Sequence, residues 1–440
     1  MTLDSLLRIA LGCRRTGVLA ISITVLFALP ALGLSNVDPT TLNGKLILGY
    51  QGWFACPGDP PGRGWVHWFS GPDPTVDMLP DVAALEASER CPTDLVAADG
   101  RPIEVFSSQN PATVARHFAW LREYGLDGVA LQRFATQLLR APLKTAADQV
   151  LVNVRRAAEE HGRVFFVMYD LSGMPVDQYA LVIADWSGLQ EAGLTRGPAY
   201  LHHRGHAVLG LWGLGFAGRP LAPSDAQSLL LALAQASEVR GGVSFLGGVP
   251  AGWRTGDGDA SADPAWQDVW RRLTVISPWT VGRFIDEFGA DQYREAKLVP
   301  DLVAARAMGI DYMPVVFPGF SWANLKRARH ASPEQVVPNQ IPRRCGRFYW
   351  RQVFNAASSG ATMIYGAMFD EVDEGTAMFK LVPTATKAPS GGSFVTLDAD
   401  GCTLPSDWYL RLAGATADLL NGRIPASAAF PLSLSIRDGP

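Results

Sequence analysis

A chain of 440 residues that is 48% hydrophobic and 18% charged carries enough apolar material for a large buried core, which excludes a disordered protein and fits one big domain or two ordinary ones. Its 38 basic and 42 acidic residues leave a formal charge of -4, so the basic field that nucleic-acid binding requires is missing and nucleic acid is excluded as a partner.

The first 35 residues hold Arg8, Arg14 and Arg15, then an uncharged apolar run over 18–34, then the polar start Ser35, Asn36, Val37 and Asp38. Basic, apolar and polar regions in that order predict an export signal, cleaved near the small residues Ala31 and Gly33. Arg14 and Arg15 also fit twin-arginine export. The alternative is an uncleaved anchor, because the apolar run reaches the lower limit of a spanning helix, about 17 residues. That anchor would be the chain's only contact with a membrane. The remainder, 36–440, is expected to be a single catalytic domain and a monomer in the periplasm or outside the cell.

Short apolar runs then recur at 46–50, 128–132, 164–169, 207–212, 243–247, 273–276, 311–317 and 361–367. Amphipathic stretches at 111–124, 142–161, 175–192, 223–239, 264–272, 293–308 and 348–358 separate them and predict helices, several starting at a proline whose missing N–H costs nothing there. Eight strands alternating with crossover helices predict an α/β fold, a (β/α)8 TIM barrel. The first connection, 53–110, is oversized and contains one more strand-like run at 103–107; long loops inside compact domains are usually functional, so part of a binding site is expected in it. A closing helix is expected over 406–421 and a loose end or small strand over 424–440.

Cys13 lies in the signal, leaving Cys56, Cys91, Cys345 and Cys402. An even count after an export signal predicts one or two disulfides of open pairing, with buried free thiols as the alternative. Other motifs carry less. His202 and His206 have the spacing of zinc proteases, but His203 stands where a general-base glutamate belongs, and Arg204-Gly205 reads as a hairpin turn. Gly213, Gly215 and Gly218 match a dinucleotide fingerprint, yet Pro220 and Pro223 interrupt the helix it needs, so tight turning is the better explanation. Arg343, Arg344, Arg347 and Arg351 read as a solvated helix start balanced by nearby acids. No metal or cofactor is expected.

The most informative segment follows the eighth run, where Asp370, Glu371, Asp373 and Glu374 crowd together. In such barrels the catalytic face lies at the C-terminal ends of the strands, so these acids are candidates for proton transfer. A calcium loop starting at Asp370 fails, because Val372 and Leu381 fall where oxygen ligands belong. Aromatic side chains gather at the same strand ends: Tyr50, Trp53, Trp65, Trp68, Phe134, Tyr169, Trp212, Trp253, Trp279, Phe320 and Trp322, with His67, Gln132, Arg133, Asp170, Arg254 and Asp370 as polar neighbours. Sugars offer apolar faces that stack on rings and hydroxyls that need fixed polar partners, so these residues are expected to bind a carbohydrate. Glycoside hydrolysis uses two carboxyl groups flanking one bond, and Glu371 with Glu374 is the expected pair.

Several segments carry a family likeness: residues 49–54, 64–68, 77–81, 127–134, 277–279, 318–322 and 369–376. Together and in order they resemble the glycoside hydrolase family 71/99-like proteins. The resemblance implies a (β/α)8 barrel and a retaining endo-α-mannosidase-like activity with two glutamates in an Asn-Glu-Trp-x-Glu-Gly-Thr-like segment. It carries the first onto Glu371, which would assist attack by the sugar's own 2-hydroxyl through an anhydro-sugar intermediate, and the second onto Glu374, acting as acid and then base. Here Asp370 stands where the family has Asn, and Val372 where it has Trp. The expectation is an exported, metal-independent glycoside hydrolase acting on a polysaccharide or oligosaccharide, an α-mannoside among the candidates. In it Glu374 is raised by apolar neighbours and by Glu371 and Asp370, while Glu371 stays ionised as base or nucleophile. A non-catalytic carbohydrate-binding protein on the same barrel is the rival.

Overall fold

All eight apolar runs form strands of one closed parallel sheet in the computed structural model, which describes residues 36–433; the expected signal or anchor and Cys13 lie outside the described residues. The barrel strands in order are Leu46–Tyr50, Gly128–Phe134, Val164–Asp170, His206–Trp212, Val243–Pro250 and Val275–Trp279, then a seventh strand in two pieces, Asp311–Tyr312 and Val315–Val316, and an eighth, Ile364–Gly366. Each pairs in parallel with the next, and the first pairs with the eighth through Leu46 and Ile364. The split strand completes the ring: its first piece pairs with the sixth strand and its second with the eighth. The fold is the expected (β/α)8 barrel. Leu46–Tyr50 is buried at every position, as a parallel strand covered on both faces must be, which is why these runs are continuously apolar.

Helices Pro111–Glu123, Ala141–His161, Ala180–Glu191, Pro223–Glu238, Trp266–Trp270, Arg347–Ser358 and Trp408–Leu420 lie close to their expected positions. The first is set by Asn110, whose side chain accepts from Ala112 N, with Pro111 in the first turn. The helix expected over 293–308 begins earlier, where Asp286 accepts from Gly289 N, and runs from Glu287–Tyr293 through a π turn into Val299–Ala307. Residues 424–433 contain neither helix nor strand.

The long first connection holds an antiparallel hairpin, Arg90–Val96 with Pro102–Phe106, of which sequence reading found only the second strand. Two disulfides form: Cys56–Cys91 ties this hairpin to the end of the first strand, and Cys345–Cys402 ties the start of the eighth-strand helix to the C-terminal segment, with Cα atoms 6.4 and 6.1 Å apart. His202–His203 is a short strand of a hairpin turning at Arg204-Gly205. Its His203 Nε2 meets Asp311 at 2.8 Å. Arg344 and Arg351 pair with Glu287 and Asp291 as expected of a solvated helix start. Arg343 departs from that expectation: it is buried, because its guanidinium bonds backbone carbonyls of the acidic segment. No helix among the described residues is long and apolar enough to cross a membrane.

Candidate active site

Successive side chains on a strand point to opposite faces, so each barrel strand sends every second residue inward. At the C-terminal strand ends the inward positions are Gln51, Gln132, Phe134, Asp170, Trp212, Trp279 and Tyr365. With Trp53, Met368, Glu371 and Glu374 they line a cavity of about 200 Å³. Its floor depends on Gly49: a β-carbon there would stand 2.1 Å from Met368 Cε and 2.4 Å from Tyr365 Oη, so no other residue leaves room for both. Tyr365 Oη accepts from Gln132 Nε2 at 3.0 Å. Trp212 and Trp279 meet edge to face at 5.6 Å between centroids. Gln51 Oε1, Trp53 Nε1 and Trp212 Nε1 are buried without a protein partner among the described residues, so the cavity offers one acceptor and two donors to a ligand.

The acidic segment is a braced loop, where a solvated turn would be the usual fate of so many acids. Phe369 N donates to Gly49 O at 2.7 Å, and Thr376 N and Ala377 N both donate to Glu371 O, at 3.0 and 2.9 Å. Asp370 accepts from Gln51 N at 2.7 Å and Gly52 N at 2.9 Å, fastening the loop to the end of the first strand. Arg343 Nη2 donates to Gly375 O and Ala377 O at 2.8 and 2.7 Å, while its guanidinium lies 4.5 Å from the Tyr409 ring centroid. From the long first loop, Asp77 N and Met78 N donate to Val372 O, and the Asp77 carboxylate accepts from Ser321 Oγ, Ala323 N and Asn324 N. Ser321 N donates to Glu374 O at 2.9 Å. Gly375 sits at φ 63° with Ser321 N 2.8 Å from where a β-carbon would be, so this turn needs glycine.

Within this frame Glu371 is 5% exposed, and each of its oxygens has a donor: Gln51 Nε2 to Oε1 at 2.5 Å and Thr376 Oγ1 to Oε2 at 2.6 Å. Glu374 has no side-chain hydrogen bond to the described residues. Burial first, then the charge of Asp373, pushes Glu374 up to about 7, against the opposing pull of Arg329. The charged neighbour is therefore Asp373, where the sequence pointed to Glu371 and Asp370. Glu371 is pushed well above the ordinary carboxylate range by burial, then by Glu374 and Asp373, with Thr376 and Gln51 opposing. That direction runs against the expectation that Glu371 simply stays ionised: the two glutamates hold protons as an interacting pair. Burial also pushes Asp370 up to about 7 despite the amides of Gly52 and Gln51.

Of the residues expected to bind substrate, the structure brings Trp53, Gln132, Phe134, Asp170, Trp212 and Trp279 to the cavity. His67 stands just behind Trp53, its ring parallel at 3.8 Å. Strand alternation turns three others outward. Tyr50 Oη bonds His117 Nδ1 at 2.9 Å, Tyr169 Oη donates to Asp185 at 2.6 Å, and Arg133 spends its charge on Asp185 and Asp148. Trp68 is fully buried and donates to Phe106 O. Trp253 and Arg254 both bond Asp301, bracing the loop after the fifth strand. Asp370 is 0% exposed and acts through Gln51 and Gly52. Trp322, half-buried under Lys326 at 4.2 Å, follows Ser321 and lies outside the cavity lining. Sequence reading missed Gln51, Tyr365, Met368, Thr376 and Arg343. Alternation from Gly49 would have found Gln51.

No family model matches the chain, and no curated protein matches it. Among solved structures it is similar to the family 99 endo-alpha-mannosidase of Bacteroides thetaiotaomicron, in complex with bis-tris propane (16% identity) and in a second structure (15% identity). Both align over 87% of this chain and 99% of theirs with a TM-score of 0.62. At that identity the likeness is one of fold, and the chain has the barrel architecture of these glycoside hydrolases.

Proposed function

We propose that the chain is an exported retaining glycoside hydrolase that cleaves a polysaccharide or oligosaccharide. One observation carries this reading: Glu371 and Glu374, both pushed up by burial, stand on one braced loop against a cavity walled by Trp53, Trp212 and Trp279. The likeness to an endo-α-mannosidase supports the class and puts α-mannosides first among substrates to test. The two disulfides support export.

Glu374, pushed up to about 7, keeps its proton in about half of the molecules in neutral solution and gives it to the departing glycosidic oxygen. In the state of the pair that carries a single proton, on Glu374, the Glu371 carboxylate takes the proton of the sugar's 2-hydroxyl, whose oxygen closes onto the anomeric carbon as the leaving group departs, giving a 1,2-anhydro sugar. The burial that raises Glu371 also makes its carboxylate a stronger base, and both of its oxygens are already held by donors, which suits proton transfer better than a new carbon–oxygen bond. Water, deprotonated by the Glu374 carboxylate, then opens the three-membered ring from the opposite face, and Glu371 returns the proton to the 2-oxygen. Two inversions leave the configuration retained.

Glu374→Gln should lower hydrolysis by about two to four orders of magnitude, the usual range for a lost general acid, and less with a 4-nitrophenyl leaving group that needs no proton. Glu371→Gln should impair both substrates. Unmodified rates in both variants would refute the assignment. A protein that binds glycans yet cleaves none across an α- and β-linked panel would establish the carbohydrate-binding reading instead.

A further inference from the structure

Asp373 has no part in the two-glutamate reaction, yet it is sealed between them in sequence with its side chain 3% exposed. One oxygen, Oδ2, stands 3.1 Å from His67 Nδ1, and the other, Oδ1, is buried without a protein partner among the described residues. A buried carboxylate with a single partner costs stability, so its position is held by the rest of the site. His67 is held too: its φ of 61° lies in the left-handed region that disfavours a side chain. Its ring lies parallel to Trp53, within 4°, and Trp53 stacks in turn on Phe134 at 5.1 Å. Trp53 and Phe134 both face the cavity. A continuous line of contact therefore runs from Asp373 through His67 to the aromatic wall beside Glu374.

We propose that Asp373 is a positioning residue of the active site: through His67 it fixes the Trp53 wall against which a sugar ring stacks, and its buried carboxylate stands next to Glu374 on the same loop as a like-charged neighbour. This rests on Glu374 being the acid of the reaction proposed above. The charged groups facing Glu374 are Glu371 and Asp373 from its own loop and Arg329 from beyond the seventh strand, while His67 reaches Asp373 from the first loop. After burial, Asp373 is the largest influence keeping the proton on Glu374, and it acts in the same direction on Glu371 and Asp370. A single uncharged substitution should therefore let Glu374 release its proton earlier while leaving the wall in place, because an Asn oxygen can still accept from His67.

The test is Asp373→Asn in the full chain, with glutamate carboxyl carbons labelled and titrated by 13C NMR, the Glu374 signal being assigned by its loss in Glu374→Gln. The Glu374 midpoint should fall by about half a pH unit or more, as expected for removal of a close like charge. The alkaline limb of kcat/KM on a glycoside whose leaving group needs protonation should move with it. Should Asp373→Asn not fold, Asp373→Ser carries the same titration. His67→Ala should instead raise acrylamide quenching of Trp53 and raise KM several-fold with kcat little changed. A Glu374 midpoint that stays put or rises in the Asp373 variant, or a His67→Ala protein with unchanged quenching and KM, overturns the proposal. A fully active Glu374→Gln would refute Glu374 as the acid separately, and absence of cleavage across the glycan panel the hydrolase reading, since the NMR midpoint does not depend on turnover.

Discussion

Glu374→Gln should stabilise the protein, and only above a certain pH. An ordinary glutamate titrates at 4.5, and burial with Asp373 pushes Glu374 to about 7, so the folded chain holds a proton that the unfolded chain has lost between those values. Stability therefore falls as pH rises from 4.5 to 7, the reverse of a salt-bridged carboxylate. At about 1.36 kcal/mol for each tenfold change, the interval corresponds to about 3 kcal/mol of destabilisation fully present at pH 8 and absent at pH 4. The substituted amide cannot ionise, has the same shape, and breaks no protein hydrogen bond. The variant should gain up to about 3 kcal/mol at pH 8, a few degrees in Tm, scaling down from about 2–4 °C per kcal/mol in domains of 150–250 residues. At pH 4 it should match the unmodified protein. Urea denaturation at the two pH values measures this, and an equal difference at both, or a loss at pH 8, would refute the assigned environment of Glu374.

Arg343→Met should lower stability by about 2–5 kcal/mol in urea titration, because Gly375 O and Ala377 O would be left unpaired in the interior. Its kcat should fall further than KM changes, since the loop carrying Glu374 loses its brace. Thiol counting of the denatured chain should find none of Cys56, Cys91, Cys345 and Cys402 free. Reduction should destabilise by up to about 4 kcal/mol per bridge, given loops of 35 and 57 residues. Trp212→Ala should raise KM on the preferred substrate roughly ten-fold or less, the size expected when one stacking ring is lost.

The barrel was legible because parallel strands buried on both faces leave uninterrupted apolar runs, and the oversized first connection stood out by length. The strand Arg90–Val96 was not, since its alternating and mostly half-exposed residues carry no such run. At the site, Glu371 and Glu374 were visible as acids where a buried strand ends. Arg133 and Tyr169 were grouped with true lining residues because adjacent positions on one strand look alike in sequence while facing opposite ways; Gln132 and Asp170, their neighbours, point inward. Arg343 could not be read at all, because its partners are backbone carbonyls and leave no pattern of charge.

Gln51 meets Asp370 and Glu371 across 319 and 320 positions of chain, His67 meets Asp373 across 306, and Asp77 meets Ser321 across 244. The candidate site is thus a seam between the first loop and the last strand. Such distant contacts form late and slowly during folding. A growing chain that has not yet delivered Ile364–Gly366 possesses most of its cavity wall and neither of the proposed catalytic acids, Glu371 and Glu374. In the proposed enzyme, turnover would therefore report closure of the ring itself, and a partly folded molecule would be silent rather than promiscuous.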